Sequence, residues 1–88
     1  MNYLQVLAIV DASELFGDGP GNPDWQYCIA AAPFQHLEAC EFIFPVSDEE
    51  EYQQAQVEEL RSAGCTEAFV AEFTKAGAMG VRWLLFEG

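Results

Sequence analysis

The side chains most able to do chemistry in this sequence are one histidine, His36, and three cysteines. His36 and Cys40 lie four residues apart, and a Cys–His nucleophile would use an acid such as Glu38 to orient the imidazole. One histidine and three scattered cysteines match no spacing of a zinc site. All three cysteines, Cys28, Cys40 and Cys65, are typical of small buried hydrophobic residues. We therefore predict no enzymatic activity, no metal site and no cofactor.

A second distinctive feature is the stretch 46–60, VSDEEEYQQAQVEEL, which places six carboxylates within twelve positions and contains no base. Twelve helical residues span about 18 Å, so this segment carries roughly one charge per 3 Å, compared with one per about 1.7 Å of axis in duplex DNA. The charge density of one such helix is too low to imitate a duplex, although it approaches the charge density of a single strand.

Half of these acids have a local explanation. The carboxylates at 48–50 fall in the first turn of a predicted helix, where they interact favourably with its dipole. Glu51, Glu58 and Glu59 are not explained in this way, and Arg61 is the only nearby base that could pair with Glu58. Two interpretations of these acids are consistent with the sequence: an ordinary solvated helix surface and a docking surface for a basic partner.

The net charge of −12 narrows the range of partners. DNA, RNA and anionic membranes should repel this protein, whereas a basic protein should be attracted to it from a distance. We predict that the partner-binding residues are the acids of this helix, the next helix and an earlier loop: Asp48, Glu49, Glu51, Glu58, Glu59, Glu67, Glu72, Asp18 and Asp24.

In size and charge the chain is similar to small inhibitors that bind cationic nucleic-acid sites, namely nuclease immunity, anti-restriction and anti-CRISPR proteins. The resemblance includes no motif and assigns no functional residue. It implies a non-enzymatic inhibitor, of phage or mobile-element type, that occupies the basic surface of a nucleic-acid-binding protein. The alternative is a small interaction module that homodimerises or joins an assembly through an apolar sheet face.

Length and composition predict one packed domain over residues 1–88, because 51% of the residues are hydrophobic and 14% are aromatic. An odd number of cysteines without close spacing favours a reducing cytoplasm. No stretch has the roughly 20 apolar residues that a membrane helix requires.

Three segments before residue 46 are predicted to be strands: 3–10, 25–31 and 37–44. Asp11 followed by Glu14 indicates one helical turn over residues 12–16. The stretch 17–24 is rich in glycine and proline and is predicted to be a loop without a phosphate-binding fingerprint.

Two helices are predicted next. The first begins at Ser47, which forms a capping box with Glu50, and ends before Gly64. Its predicted apolar stripe is Tyr52, Ala55, Leu60 and Ala63. The second begins after Thr66 and ends at Gly77 or Gly80. Its predicted stripe is Phe69, Val70, Phe73 and Ala76.

Residues 81–86 are predicted to form the last strand, with Val81, Trp83 and Leu85 facing the helices. The resulting fold class is α+β, with a small four-stranded antiparallel or mixed sheet in the chain order β-β-β-α-α-β and two helices packed on one face. The first and last strands are expected at its centre. The opposite face is predicted to be an interface unless the 11–24 segment covers it. Its expected members are Tyr3, Leu7, Ile9, Leu84 and Phe86.

Overall fold

The structure, a computed structural model, describes residues 7–17, 19 and 21–88. Its strands are β1 (Leu7–Asp11), β2 (Phe34–His36), β3 (Glu41–Pro45) and β4 (Trp83–Glu87). Its helices are α1 (Ser13–Phe16), α2 (Pro23–Ala31), α3 (Glu50–Ser62) and α4 (Glu67–Ala78). The predicted fold class is confirmed, because three strands precede the two long helices and one strand follows them.

The sheet is mixed and has the strand order β1-β4-β3-β2. β1 runs parallel to β4, whereas the β4–β3 and β3–β2 pairs are antiparallel. The last strand is therefore central, as predicted, but the first strand lies at an edge of the described sheet. Tyr3, and the rest of the predicted first strand before Leu7, lie outside the described residues.

The core lies between one face of the sheet and the helices. Phe86 of β4 is fully buried, and its ring centroid lies 4.7 Å from that of Phe69 and 5.5 Å from that of Phe73, both on α4. Phe44 of β3 contacts the rings of Phe73 and Phe86 and also stacks on Tyr27 of α2 at 5.8 Å. Alternation along β3 and β4 therefore sends every second side chain of these strands into the aromatic core.

Residues 25–31 form most of α2, so the predicted strand there is wrong. Asn22 caps the helix by accepting hydrogen bonds from the N–H groups of Asp24 and Trp25, at 2.8 and 3.0 Å. Pro23 occupies the first helical position, where its missing N–H has no consequence. These local signals outweigh the alternating aromatic pattern, and the second strand instead follows Pro33.

The third strand starts later than predicted. Leu37–Ala39 form a 3-10 turn, and Cys40 then adopts a left-handed φ of 53°. β3 begins only after this turn, because the turn reverses the chain direction and allows β3 to pair with β2 in the antiparallel direction.

The start of α3 is also displaced from the predicted one. Ser47 Oγ accepts a hydrogen bond from the N–H of Glu49, but the helix begins at Glu50 with Glu49 as its N-cap. The predicted capping box therefore does not form.

The buried side of α3 differs from the predicted stripe. Leu60 is its one fully buried residue, with Val57 and Gln53 partly buried, whereas Tyr52 is 62% exposed and Ala55 and Ala63 are exposed. The helix packs through few apolar side chains, so glutamines take part. Gln53 Nε2, for example, donates to the Ser47 carbonyl at 2.7 Å.

The predicted stripe of α4 is confirmed, since Phe69, Val70, Phe73 and Ala76 are its buried residues. Gly64 and Gly80 have φ of 89° and 75°, so each occupies the left-handed position that ends the helix before it. Of the two predicted helix ends, Gly80 is the one observed.

The prediction that Trp83 lies under the helices is wrong. Leu84 and Phe86 face the core, whereas Trp83 and Leu85 lie half-buried on the opposite face. Val81 is buried, but it lies in the turn before the strand and does not share the strand's alternation. Within the described part of the chain, no helix is long and apolar enough to cross a bilayer.

Candidate protein-binding surfaces

The acids of α3 lie mainly on the side that faces solvent. Glu51 is nine residues, or two and a half turns, from the buried Leu60, which places it on the opposite side of the helix. Glu58 lies two turns further along the same line, about 10 Å from Glu51. Glu59 flanks this line, Glu49 is the N-cap, and Glu50 lies with Glu51 in the first turn. All of these acids are exposed.

The three basic side chains of the protein are engaged with other acids. Arg61 forms a two-pronged ion pair with Glu67, at 2.9 and 3.1 Å. The described ion pairs do not include one between Arg61 and Glu58. The hydrogen bonds from this guanidinium hold the pKa of Glu67 below its usual value.

The other two bases likewise pair with predicted site residues. Arg82 lies 3.1 Å from Asp48, and Lys75 lies 4.0 Å from Glu72. Three of the predicted site residues therefore already carry a counter-charge. Among the described ion pairs none involves an acid between residues 49 and 59, so the uncompensated charge concentrates on α3.

Glu59 lies close to the phenol of Tyr27. Burial of the phenol, together with the nearby charge of Glu59, raises the pKa of Tyr27 to about 12. The ring of Tyr27 stacks on Phe44, so the Glu59 carboxylate lies beside a side chain of the core.

A shallow groove runs beside α3. It is lined by the exposed Tyr52, by Pro45 at the end of β3 and by Glu59. The surface thus combines two groups of carboxylates with an aromatic side chain between them.

Asp24 does not belong to the surface that was predicted to include it. It is completely buried, and its two oxygens accept from the Thr66 N–H at 2.8 Å and the Thr66 hydroxyl at 2.7 Å. Thr66 in turn caps α4 by accepting from the N–H of Phe69. Asp24 therefore ties α2 to the start of α4, which is a structural role. Asp18 lies outside the described residues.

The helix-free face of the sheet is apolar over most of its area. This outer sheet face consists of Leu7, Ile9, Phe34, Ile43, Trp83 and Leu85. Ile9 is 60% exposed and Phe34 is 55% exposed. The ring centroids of Phe34 and Trp83 lie 5.9 Å apart in an edge-to-face arrangement. Leu84 and Phe86, which we expected on this open face, are buried on the other one.

A row of carboxylates crosses one end of the outer sheet face. The pairing registers join Asp11 to Glu87, Glu87 to Glu41, and Glu41 to His36. His36 Nδ1 lies 3.4 Å from Glu41 Oε1. We call Asp11, Glu41 and Glu87 the acidic row. Our sequence reasoning missed it, although each acid adjoins an apolar strand segment, because its detection requires the strand order.

Cys28 and Cys65 lie in environments that suppress the reactivity of their thiols. Burial raises the pKa of Cys28 and raises that of Cys65 to about 11, and in both cases the Asp24 charge adds to the effect. His36 pairs with Glu41, not with Cys40. Across the described ranges, no group of three or more His, Cys, Asp or Glu residues could hold a metal ion.

No family model, curated protein or solved structure shows significant similarity to this chain. Its function is therefore argued from the two surfaces alone.

Proposed function

We propose that the protein is a non-enzymatic inhibitor whose α3 surface occupies a basic, nucleic-acid-binding surface of another protein. The observation that carries this proposal is the distribution of counter-charges. Each of the three bases pairs with an acid outside residues 49–59, and the described ion pairs include no basic partner for the acids of α3.

The clustered acids of α3 lower the stability of the fold, and this cost supports a functional role for them. Carboxylates crowded on one helix repel each other and weaken the compact state, and solubility would be served by a smaller net charge. The dipole of α3 offsets the repulsion in its first turn, but it gives no such stabilisation to Glu58 and Glu59, which lie toward its C-terminal end.

The spacing of the charges indicates the chemistry of the partner. Glu51 and Glu58 stand about 10 Å apart on one line of the helix, and the exposed Glu59 flanks this line. Arginine and lysine side chains of a nucleic-acid groove would meet these carboxylates in place of phosphates. Tyr52, exposed beside Glu51, is the type of side chain that dominates binding energy at interfaces.

The test compares two variants of equal charge. The α3 triple variant carries Glu51→Gln, Glu58→Gln and Glu59→Gln. The row triple variant carries Asp11→Asn, Glu41→Gln and Glu87→Gln. Each changes the net charge from −12 to −9, because three carboxylates are lost. Both variants keep a hydrogen-bond acceptor at every changed position.

Affinity capture from the native host with these baits should identify a protein that the α3 triple variant loses and the row triple variant keeps. With that protein purified, we expect the wild-type chain to displace a fluorescent oligonucleotide from it. Association should slow about tenfold for the α3 triple variant at low salt. An unchanged association rate, or an oligonucleotide that stays bound, would contradict the proposal.

A further inference from the structure

The outer sheet face has a graded composition along the strands. Its apolar residues occupy two lateral rows, one containing Leu7 and Trp83 and the next containing Ile9, Leu85 and Ile43. The third row is the acidic row. An occupant of this face must therefore present apolar side chains over most of its length and positive charge at the end that lies over the acidic row.

The size of the apolar surface indicates that it is occupied in the working protein. Four strands about 4.8 Å apart span about 14 Å, and the five residues of β4 extend about 17 Å. Soluble monomers rarely leave contiguous apolar areas of this kind in water. The described helices pack on the opposite face, where the core lies.

The acidic row indicates the charge of the occupant. Carboxylates directly opposite each other on neighbouring strands destabilise a sheet, and here Glu87 has one such neighbour on each side, Asp11 and Glu41. Each of the three Lys and Arg side chains pairs with an acid elsewhere. A second copy of this chain would bring another acidic row and no free Lys or Arg, so it would not relieve the repulsion.

We propose that the outer sheet face binds a basic amphipathic helix of another protein, with its apolar stripe over Trp83, Leu85 and Ile9 and an Arg or Lys over the acidic row. A helix about 10 Å in diameter fits this width, and about eleven residues at 1.5 Å each match the length of β4. A strand added to the edge of β1 would leave Trp83 and Leu85 uncovered. This surface is separate from α3, and the inference does not depend on the function proposed above.

The test uses synthetic helical peptides of fourteen residues that share one leucine stripe and carry three Arg, three Gln or three Glu in the last turn. A Trp25→Phe background leaves Trp83 as the sole indole, so its fluorescence reports binding to the face. We expect the Arg peptide to bind about tenfold more tightly than the Gln peptide and the Glu peptide to bind more weakly still.

The two triple variants distinguish recognition of Arg by the acidic row from a general effect of the protein's net negative charge. The row triple variant should lose the preference for Arg over Gln, whereas the α3 triple variant, with the same net charge, should keep it. Trp83→Ala and Ile9→Ser should abolish binding of all three peptides, as measured by calorimetry, while the protein remains folded.

Three results would overturn the inference. They are binding without a preference for the Arg peptide, an equal loss of preference in both triple variants, and a stable homodimer in sedimentation equilibrium that Ile9→Ser dissociates. Failure of the α3 capture experiment would leave these peptide results unaffected, so the two proposals fail independently.

Discussion

Two neighbouring residues of β4 test which face of the sheet is buried, because the smaller of them lies in the core. Trp83 is the larger side chain, but it lies half-buried on the outer sheet face, whereas Leu84 is 1% exposed in the core. We expect Leu84→Ala to destabilise the protein more than Trp83→Ala, although it removes fewer atoms.

The magnitudes follow from these surroundings. Truncation of a fully buried leucine leaves a cavity and costs about 3 kcal/mol. Trp83 loses its edge-to-face contact with Phe34 and part of its apolar burial, which together amount to about 1 kcal/mol. A domain of this length has a total stability of about 4–13 kcal/mol. Both variants should therefore fold, with melting temperatures lowered by roughly 15 °C and roughly 5 °C respectively.

Urea titrations of both variants, followed by far-UV circular dichroism, measure the two free energies of unfolding. Equal slopes against urea concentration would show that both variants unfold from the same native state. If Trp83→Ala proved as destabilising as Leu84→Ala, the tryptophan would be covered in the native state, and both the face assignment and the proposed helix-binding surface would be refuted.

Two further predictions concern the contacts that position α2 and α3. Asp24→Ala should lower the free energy of unfolding by about 3 kcal/mol in urea titrations, because it removes both acceptors of Thr66. Asp24→Asn, which keeps one acceptor, should lower it by less; equal losses would show that a single neutral acceptor does not replace the carboxylate. The raised pKa of Tyr27, about 12 in the folded protein against 10.0 ordinarily, means that the phenol contributes stability that is complete below pH 10 and is lost between pH 10 and 12. Absorbance titration at 295 nm should show a lower pKa for Tyr27 in Glu59→Gln than in the wild type, although burial keeps it raised. A pKa that does not move would rule out a contribution from the charge of Glu59.

Elements with strong local signals were predictable from sequence. The stripe of α4 repeats at helical spacing, and Gly64 and Gly80 adopt the left-handed conformation expected where a helix ends. Such features depend on residues within one or two turns of each other, so their physics is contained in a short segment. The N-terminal signal of α2, Asn22 followed by Pro23, was equally local but was outweighed in our interpretation by the aromatic residues that follow it.

The sequence by itself determined the fold class, the acidic character of α3 and the presence of an uncovered apolar face. Only the tertiary structure decided which residues form that face, because β4 is apolar on both sides and alternation alone does not select the side that meets Phe69. It also decided that Asp24 is a buried structural acid, since its partner Thr66 lies 42 residues away, and that acids from three strands meet in one row. A contact between distant segments produces no repeating pattern in the sequence. Burial and charge pairing of this kind are therefore known only once the packing of the elements is known.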